Sequence, residues 1–320
     1  MTGRGTARLG RLAKARWLLP LVGVIVLFLI FTSLVPERFT SSRNLQLIFR
    51  QSVVLMIAGL GMSFVMSQGS IDISQGSMLV LCESVAAAVV AATGASGAAL
   101  LPVIIPTCLL VGMACGLFNG LFVARVRIPS FAVTIATMMI FRNMAVAILN
   151  KRCVVVPISH IGSFATMLAG FALVFLLATY LFDYHSLGKY SKAIGSNETA
   201  AGASGVPVLR TKMWAFVLSG LCVGIAAPFH IARLGLCSPK AGSFFEFDVI
   251  TALVIGGTPL TGGSSSRVYS VIIGGLIVGM LSNGLTLLGV DPVIKDLVKG
   301  AILIAAVALS LERGKLVTIK

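Results

Sequence analysis

Few residues in this chain of 320 have both the type and the spacing for chemistry. The densest polar group is "SQGSIDISQGS" at 67–77, where Asp72 is followed three positions later by Gln75, with Ser74 and Ser77 beside them. An Asp-x-x-Gln pattern ahead of an apolar run has the form of a capping box. The carboxylate takes a free helix amide, and the glutamine reaches back to the cap residue. The same groups offer hydroxyls and an amide to a neutral, hydroxyl-rich solute. Glu83 is a second candidate. It stands inside the apolar run 78–92, on one helical face with Gly76 and Ala87, where an ionised carboxylate costs about 3 kcal/mol or more. It either lines a polar pathway or bonds one helix to another.

Other chemistry finds no support. His160, His185 and His230 are scattered, without the spacing of a zinc site or of a nucleophile and its base. They read as interfacial or loop histidines. The Gly188–Lys189 and Gly314–Lys315 pairs are followed by neither Ser nor Thr and lack the upstream glycine of a phosphate-binding loop, so the chain is not expected to hydrolyse ATP itself. Cys82, Cys108, Cys115, Cys153, Cys222 and Cys237 show no C-x-x-C spacing and are expected as buried free thiols. No catalytic group, metal or cofactor is expected.

The elements that must position these residues are set by hydropathy. The chain is 57% hydrophobic and 11% charged, with a mean hydropathy of +1.02, which no soluble domain of this length would show. Apolar runs recur at 17–35, 99–123, 129–149, 161–182, 213–234, 268–289 and 294–311, with shorter ones at 50–66, 76–92 and 249–257. They predict an all-α polytopic membrane protein, a single transmembrane unit over 1–320, with about ten spans of roughly 20 residues (eight to ten), some of them broken. The first run is too long for a signal-peptide core and lacks a small-residue cleavage site before Pro36, so it is expected as a retained anchor.

The net charge of +15 is read as topology and not as nucleic-acid binding, because the cations sit in short segments between spans. Arg4, Arg8, Arg11, Lys14 and Arg16 place the segment 1–16 in the cytoplasm. Alternating spans then put Arg125, Arg127, Lys189, Lys192, Arg210 and Lys212 inside, along with the tail 312–320 bearing Arg313, Lys315 and Lys320. Lys151 and Arg152 fall outside and are the main exception.

The longest polar segment is 183–212. Within it "SNETAAGASG" predicts a short helix: Ser196 or Asn197 caps it, Glu198 suits its positive end, and Gly205 ends it. It is either a solvated connection or a functional element. Two echoes suggest an internal repeat, parallel or inverted: "GSIDISQGS" (69–77) with "GGTPLTGGS" (256–264), and "FNGL" (118–121) with "SNGL" (282–285). Gly112 with Gly116, and Gly256 with Gly257, read as packing devices. The stretch 67–77 is either a bend on a water-filled path or a capped turn at the membrane surface.

Together these segments resemble a known family. "GSIDISQGS" is similar to the G-G-I-D-L-S-x-G-S signature of permease subunits of bacterial ABC importers for monosaccharides, of the ribose/arabinose/xylose class. "GLFNGLFVARVRIPSFAVTIATM" (116–138) resembles that family's N-G-L…K-I-P-x-F-I-x-T-L-x-T-M segment, with Asn119, Thr134 and Thr137 at matching positions. "AIGSNETAAGASGVPVLRTK" (193–212) resembles its A-I-G-G-N-E-x-A-A-x-x-S-G-I/V loop, matching Gly195, Asn197, Glu198, Ala201, Ser204 and Gly205. "VIGGTPLTGG" (254–263) and "LLGVDPVIKDLVKGAILIAAV" (287–307) follow in the same order, so the resemblance covers nearly the whole chain. Ser70, Gln75, Thr199 and Gly202 depart from the pattern, which bears on solute identity.

The resemblance implies an inner-membrane permease working by alternating access as a dimer with a second copy or a homologous permease. Its implied partners are a cytoplasmic ATP-binding subunit, a periplasmic sugar-binding protein and membrane lipid, with no nucleic acid. The path would involve Asp72, Ser74, Gln75, Ser77, Glu83, Asn119, Thr134 and Thr137. The loop at 193–205 would be the helix that couples to the ATPase. The alternative reading is an ion-coupled secondary transporter of a small polar solute, with Glu83 as its coupling carboxylate.

Overall fold

The computed structural model describes residues 18–310, so the expectations for 1–16 and 312–320 lie outside the described residues. Those described are helices joined by short loops: α1 (Leu18–Leu34), α2 (Pro36–Phe39), α3 (Ser42–Ser67), α4 (Gln75–Thr93), α5 (Leu100–Ala124), α6 (Ser130–Ile148), α7 (Phe164–Thr179), α8 (Ser186–Ser196), α9 (Glu198–Ala203), α10 (Val208–Leu234), α11 (Phe245–Ile255), α12 (Ser270–Leu287) and α13 (Pro292–Ser310). A π-helical turn, Tyr180–Tyr184, extends α7. Helices dominate for a physical reason. In hydrocarbon each backbone amide must find its partner within its own segment.

Seven helices among the described residues are long and apolar enough to cross a membrane, fewer than the ten or so runs the sequence offers. The shortfall has particular causes. α1 is 17 residues long and α11 only 11, while α13 carries Lys295, Asp296 and Lys299. α11 spans half a bilayer at about 1.5 Å per residue. The chain is an all-α, multi-pass membrane protein.

α3 forms the centre, every residue from Ser52 to Ser67 being buried. By contrast, α5 and α6 each bury 28% of their span and α7 22%, so these helices form the outer wall. α10 packs closely across α5. A methyl group on Gly112, Gly116, Gly220 or Gly224 would overlap the backbone of the facing helix, at Gly220, Phe216, Gly112 and Cys108 respectively. This is small-residue packing of the kind expected of Gly112 and Gly116. The Gly256–Gly257 pair divides its work: Gly256 packs on Ser270, but Gly257 makes the turn at φ 102° with open space beside it. Five cysteines are buried and Cys153 is exposed.

The two ends of the bundle are distinguished by contacts to α3. Near its start, Asn44 and Asn283 of α12 exchange amide hydrogen bonds at 3.0 and 2.9 Å. At its end, the Ser67 carbonyl accepts from Gly263 at 2.9 Å. β1 (Val154–Val155) pairs antiparallel with β2 (Leu236–Cys237) and sets residues 151–155 beside the end of α10. The echoes therefore disagree about symmetry. The glycine-rich loops 67–69 and 261–263 meet at one end, whereas Asn119 bonds toward that end and Asn283 lies at the other. A single duplication, parallel or inverted, does not account for both.

Candidate functional site

After Ser67 the chain does not re-enter the membrane as a helix at once. Residues 68–74 fold back into the protein, and α4 begins only at Gln75. Gln75 Nε2 reaches the Ala58 carbonyl at 3.4 Å, nine residues before the end of α3. At about 1.5 Å per residue, that carbonyl lies roughly 13 Å from the end of α3, so α4 starts inside the bundle. Irregular backbone at that depth must be satisfied by protein or by a polar cavity. Here protein supplies most of the partners, while Gln68 Oε1, Gln75 Oε1 and Asn119 Oδ1 are buried without one among the described residues.

Asp72 is completely buried. Its Oδ1 accepts from the Ser74 amide at 3.1 Å and from Ser74 Oγ at 2.6 Å, while its Oδ2 accepts from Ser219 Oγ of α10 at 3.0 Å. Gln75 Nε2 donates to the same Ser219 Oγ at 2.8 Å. Asn119 of α5 donates to Ser74 Oγ at 2.8 Å. The α6 start supports the other side, Ser130 Oγ accepting from the Ile71 amide at 3.2 Å and Thr134 Oγ1 lying 3.4 Å from the Ile71 carbonyl. Ser77 and Thr137 turn back onto their own helices, bonding the carbonyls of Ser74 and Thr134. At the mouth of the bend, Gln68 Nε2 donates to Ser191 Oγ of α8 at 2.9 Å and lies 3.3 Å from the Thr211 carbonyl.

Two sequence expectations change here. The capping box does not form. The carboxylate takes the Ser74 amide, but Gln75 turns to the Ser219 hydroxyl that α10 places 2.8 Å from its Nε2. Nor is the bend at the surface, since Asp72, Ser74, Gln75, Ser77, Asn119, Thr134 and Thr137 are all buried. The structure brings these seven together as one hydrogen-bonded knot across four helices. Ser219 is the member that the sequence reading missed. Its signal was available: a hydroxyl inside the apolar run 213–234, on the same grounds that singled out Glu83.

Glu83 sits apart from the knot. Its Oε1 lies 2.5 Å from His230 Nδ1 of α10, both side chains buried. His230 was expected at an interface or in a loop, and is instead Glu83's partner. Arg142 of α6 and Arg233 of α10 are close enough to feel the Glu83 charge. Arg142 also donates to the Ala241 and Gly242 carbonyls at 2.6 and 3.0 Å, holding the loop that leads into α11.

The polar segment 183–212 forms the helix its composition predicts. Asn197 Oδ1 accepts from the Ala200 amide at 3.0 Å, and Gly205 ends the helix at φ 85°. Ala201 is buried and Ser204 Oγ bonds back to Ala200. Glu198 Oε1 pairs with Lys212 Nζ of α10 at 2.7 Å. One contact was not legible beforehand. Gly195 is packed so closely on Ser67 that a methyl would overlap its carbonyl, and Ser196 Oγ accepts from the Ser264 amide at 3.2 Å. The end of α8, which leads directly into α9, therefore rests on the mouth of the bend and on the 261–264 loop.

A bundle of apolar helices interrupted inside by a buried, hydrogen-bonded polar bend, with a capped polar helix seated against that bend, is the build of a membrane transport protein. More particularly, the chain belongs to the family described as "Branched-chain amino acid transport system / permease component", whose model matches residues 44–307. It is 35% identical over 299 residues to the ribose import permease protein RbsC of Escherichia coli K12, covering 90% of this chain and 91% of that one. It is 33% identical over 300 residues to RbsC of Haemophilus influenzae, covering 89% and 90%. With the D-allose transport system permease protein AlsC of Escherichia coli K12 the identity is 35% over 293 residues, covering 89% and 88%. No solved structure matches the chain. The chain is a transport permease, and this membership sets aside the ion-coupled carrier that Glu83 alone suggested.

Proposed function

We propose that the chain passes a monosaccharide across the bacterial inner membrane by alternating access. It acts as one of two permease copies, identical or homologous. A periplasmic binding protein loads it, and cytoplasmic ATP-binding subunits drive it. The observation that carries this reading is identity of 33–35%, over about nine-tenths of the chain, to permeases named for ribose and allose. The family description names amino acids, but likeness to these individual sugar permeases is the more particular finding.

In this reading α9 docks on the ATP-binding subunit with Asn197 and Glu198 at its leading end. Its displacement reaches the bend through Gly195 against Ser67 and Ser196 against Ser264. The knot around Asp72 acts as the fixed anchor of the bend, held by buried groups of α4, α5, α6 and α10. Both chain termini lie in the cytoplasm. Deleting the gene and measuring uptake of labelled D-ribose, D-allose and D-xylose tests the proposal. Loss of uptake of one sugar, restored by the gene on a plasmid, is expected. Unchanged uptake of all three with loss of L-leucine uptake would replace the sugar with an amino acid.

A further inference from the structure

A cavity of about 230 Å³ lies between α3, α10, α11, α12 and α13, in the half of the bundle farther from α9. Its walls include Ser52, His230, Arg233, Asp248, Ser282 and Lys299. This is a costly set of groups to place within membrane-spanning helices, and polar residues there mark function by default. Two of their atoms lack partners. Ser52 is 1% exposed and its Oγ makes no hydrogen bond, and the buried Nε of Arg233 makes none either. Close packing of α3 on Gly279 accounts for a small residue at 52, and the last turn of α10 accounts for a basic one at 233, but neither accounts for the polar atoms left unpaired beside the cavity.

We propose that this cavity is a solute site within a single chain, and that it takes one neutral monosaccharide. The inference rests on the importer reading above and adds the place and the chemistry. Charge decides the ligand class. Asp248 Oδ2 is paired with Lys299 Nζ at 2.9 Å. Glu83 holds His230 through Nδ1 and balances Arg233 from behind the wall. With its charges matched, the cavity calls for no ionic ligand. What it offers is a guanidinium donor, a carboxylate acceptor and serine hydroxyls that both give and take hydrogen bonds, which is what sugar hydroxyls require. Glu83 acts as a positioning residue: with Nδ1 committed to the carboxylate, the other ring nitrogen is the one left to meet a ligand. The volume equals about seven water molecules, room for one monosaccharide.

The test uses the full chain in lipid nanodiscs, without ATP-binding subunit or binding protein, and equilibrium binding of labelled D-ribose, D-allose and D-xylose. Saturable binding of one of them at one site per chain is expected. Arg233→Gln and Ser282→Leu should each weaken it at least about tenfold, the first by removing a charged donor and the second by filling the space. Thermal unfolding in the same nanodiscs identifies any variant that has not folded, and Ser282→Leu alone then serves. Unchanged affinity in the folded variants, one site per two chains, or tighter binding of D-ribonate than D-ribose would each overturn the proposal. Absence of any binding to the wild-type chain would overturn it too, while leaving the importer reading intact if gene deletion still abolishes sugar uptake.

Discussion

Asp72 accepts from three donors, the Ser74 amide, Ser74 Oγ and Ser219 Oγ, so its replacement separates hydrogen bonding from charge. Asparagine keeps an oxygen for Ser74 and places an amide against Ser219, whose hydroxyl can accept. Asp72→Asn should retain most transport, whereas Asp72→Ala strands buried donors at about 1–3 kcal/mol each and should lower the thermal midpoint and transport together. Should Asn prove as inactive as Ala while both insert normally, the charge itself matters and the anchoring account is wrong. Glu83 and His230 make a different test. Glu83→Leu leaves a buried histidine without its partner and should cost about 3–5 kcal/mol, while Glu83→Leu with His230→Leu should recover only part of it, because Arg233 still lacks its counter-charge. Thermal unfolding of the detergent-solubilised variants measures both. A double variant no more stable than the single would remove the pair from the account. The sequence marked Glu83 as out of place, but its partner lies 147 residues away on another helix, and no spacing rule reaches that far.

At the scale of elements, α9 was legible almost residue by residue because capping is local: an Asn, an acid after it and a glycine eight positions on from Asn197 state where the helix begins and ends. What the sequence left out is the Glu198–Lys212 pair, 2.7 Å long with side chains 31% and 14% exposed. It changes how Glu198 must be tested. Glu198→Arg alone repels Lys212 as well as any partner. Combining it with Lys212→Glu restores the local pair with its charges reversed. If α9 docks through Glu198, the single variant should lose stimulation of the ATP-binding subunit and the double should not regain it, with insertion normal in both. Full recovery of stimulation in the double variant would reduce Glu198 to a local strut.

For the whole molecule, orientation is the open quantity, and charge alone is a weaker guide than the sequence suggested. The β1–β2 pairing gathers Arg233 and Lys240 toward the same end as Lys151 and Arg152, the main exception to the cytoplasmic pattern. Cys153 is exposed at that end and Ser196 is exposed on the α9 side. An impermeant maleimide should label Cys153 in intact cells. In a Cys153→Ser background, Ser196→Cys should react only after the membrane is permeabilised. Labelling of position 196 in intact cells would invert the molecule and remove α9 from the cytoplasm.

The sequence by itself determined the class of fold, since a mean hydropathy of +1.02 leaves no alternative to burial in lipid, and it determined the short capped helix, whose signals all lie between Asn197 and Gly205. It also located the break at 67–77, because polar residues between apolar runs are costly wherever they stand. Only the tertiary structure decided what that break is. Whether Gln75 closes a cap or reaches Ser219, and whether Glu83 faces a path or a histidine, depends on which helix lies beside which. That choice is made by long-range packing, above all the glycine contact of α5 with α10 that brings Asn119, Ser219 and His230 to the bend and to Glu83. Hydropathy and local spacing carry the cost of a polar group in the membrane, but they do not carry the identity of the group that satisfies it.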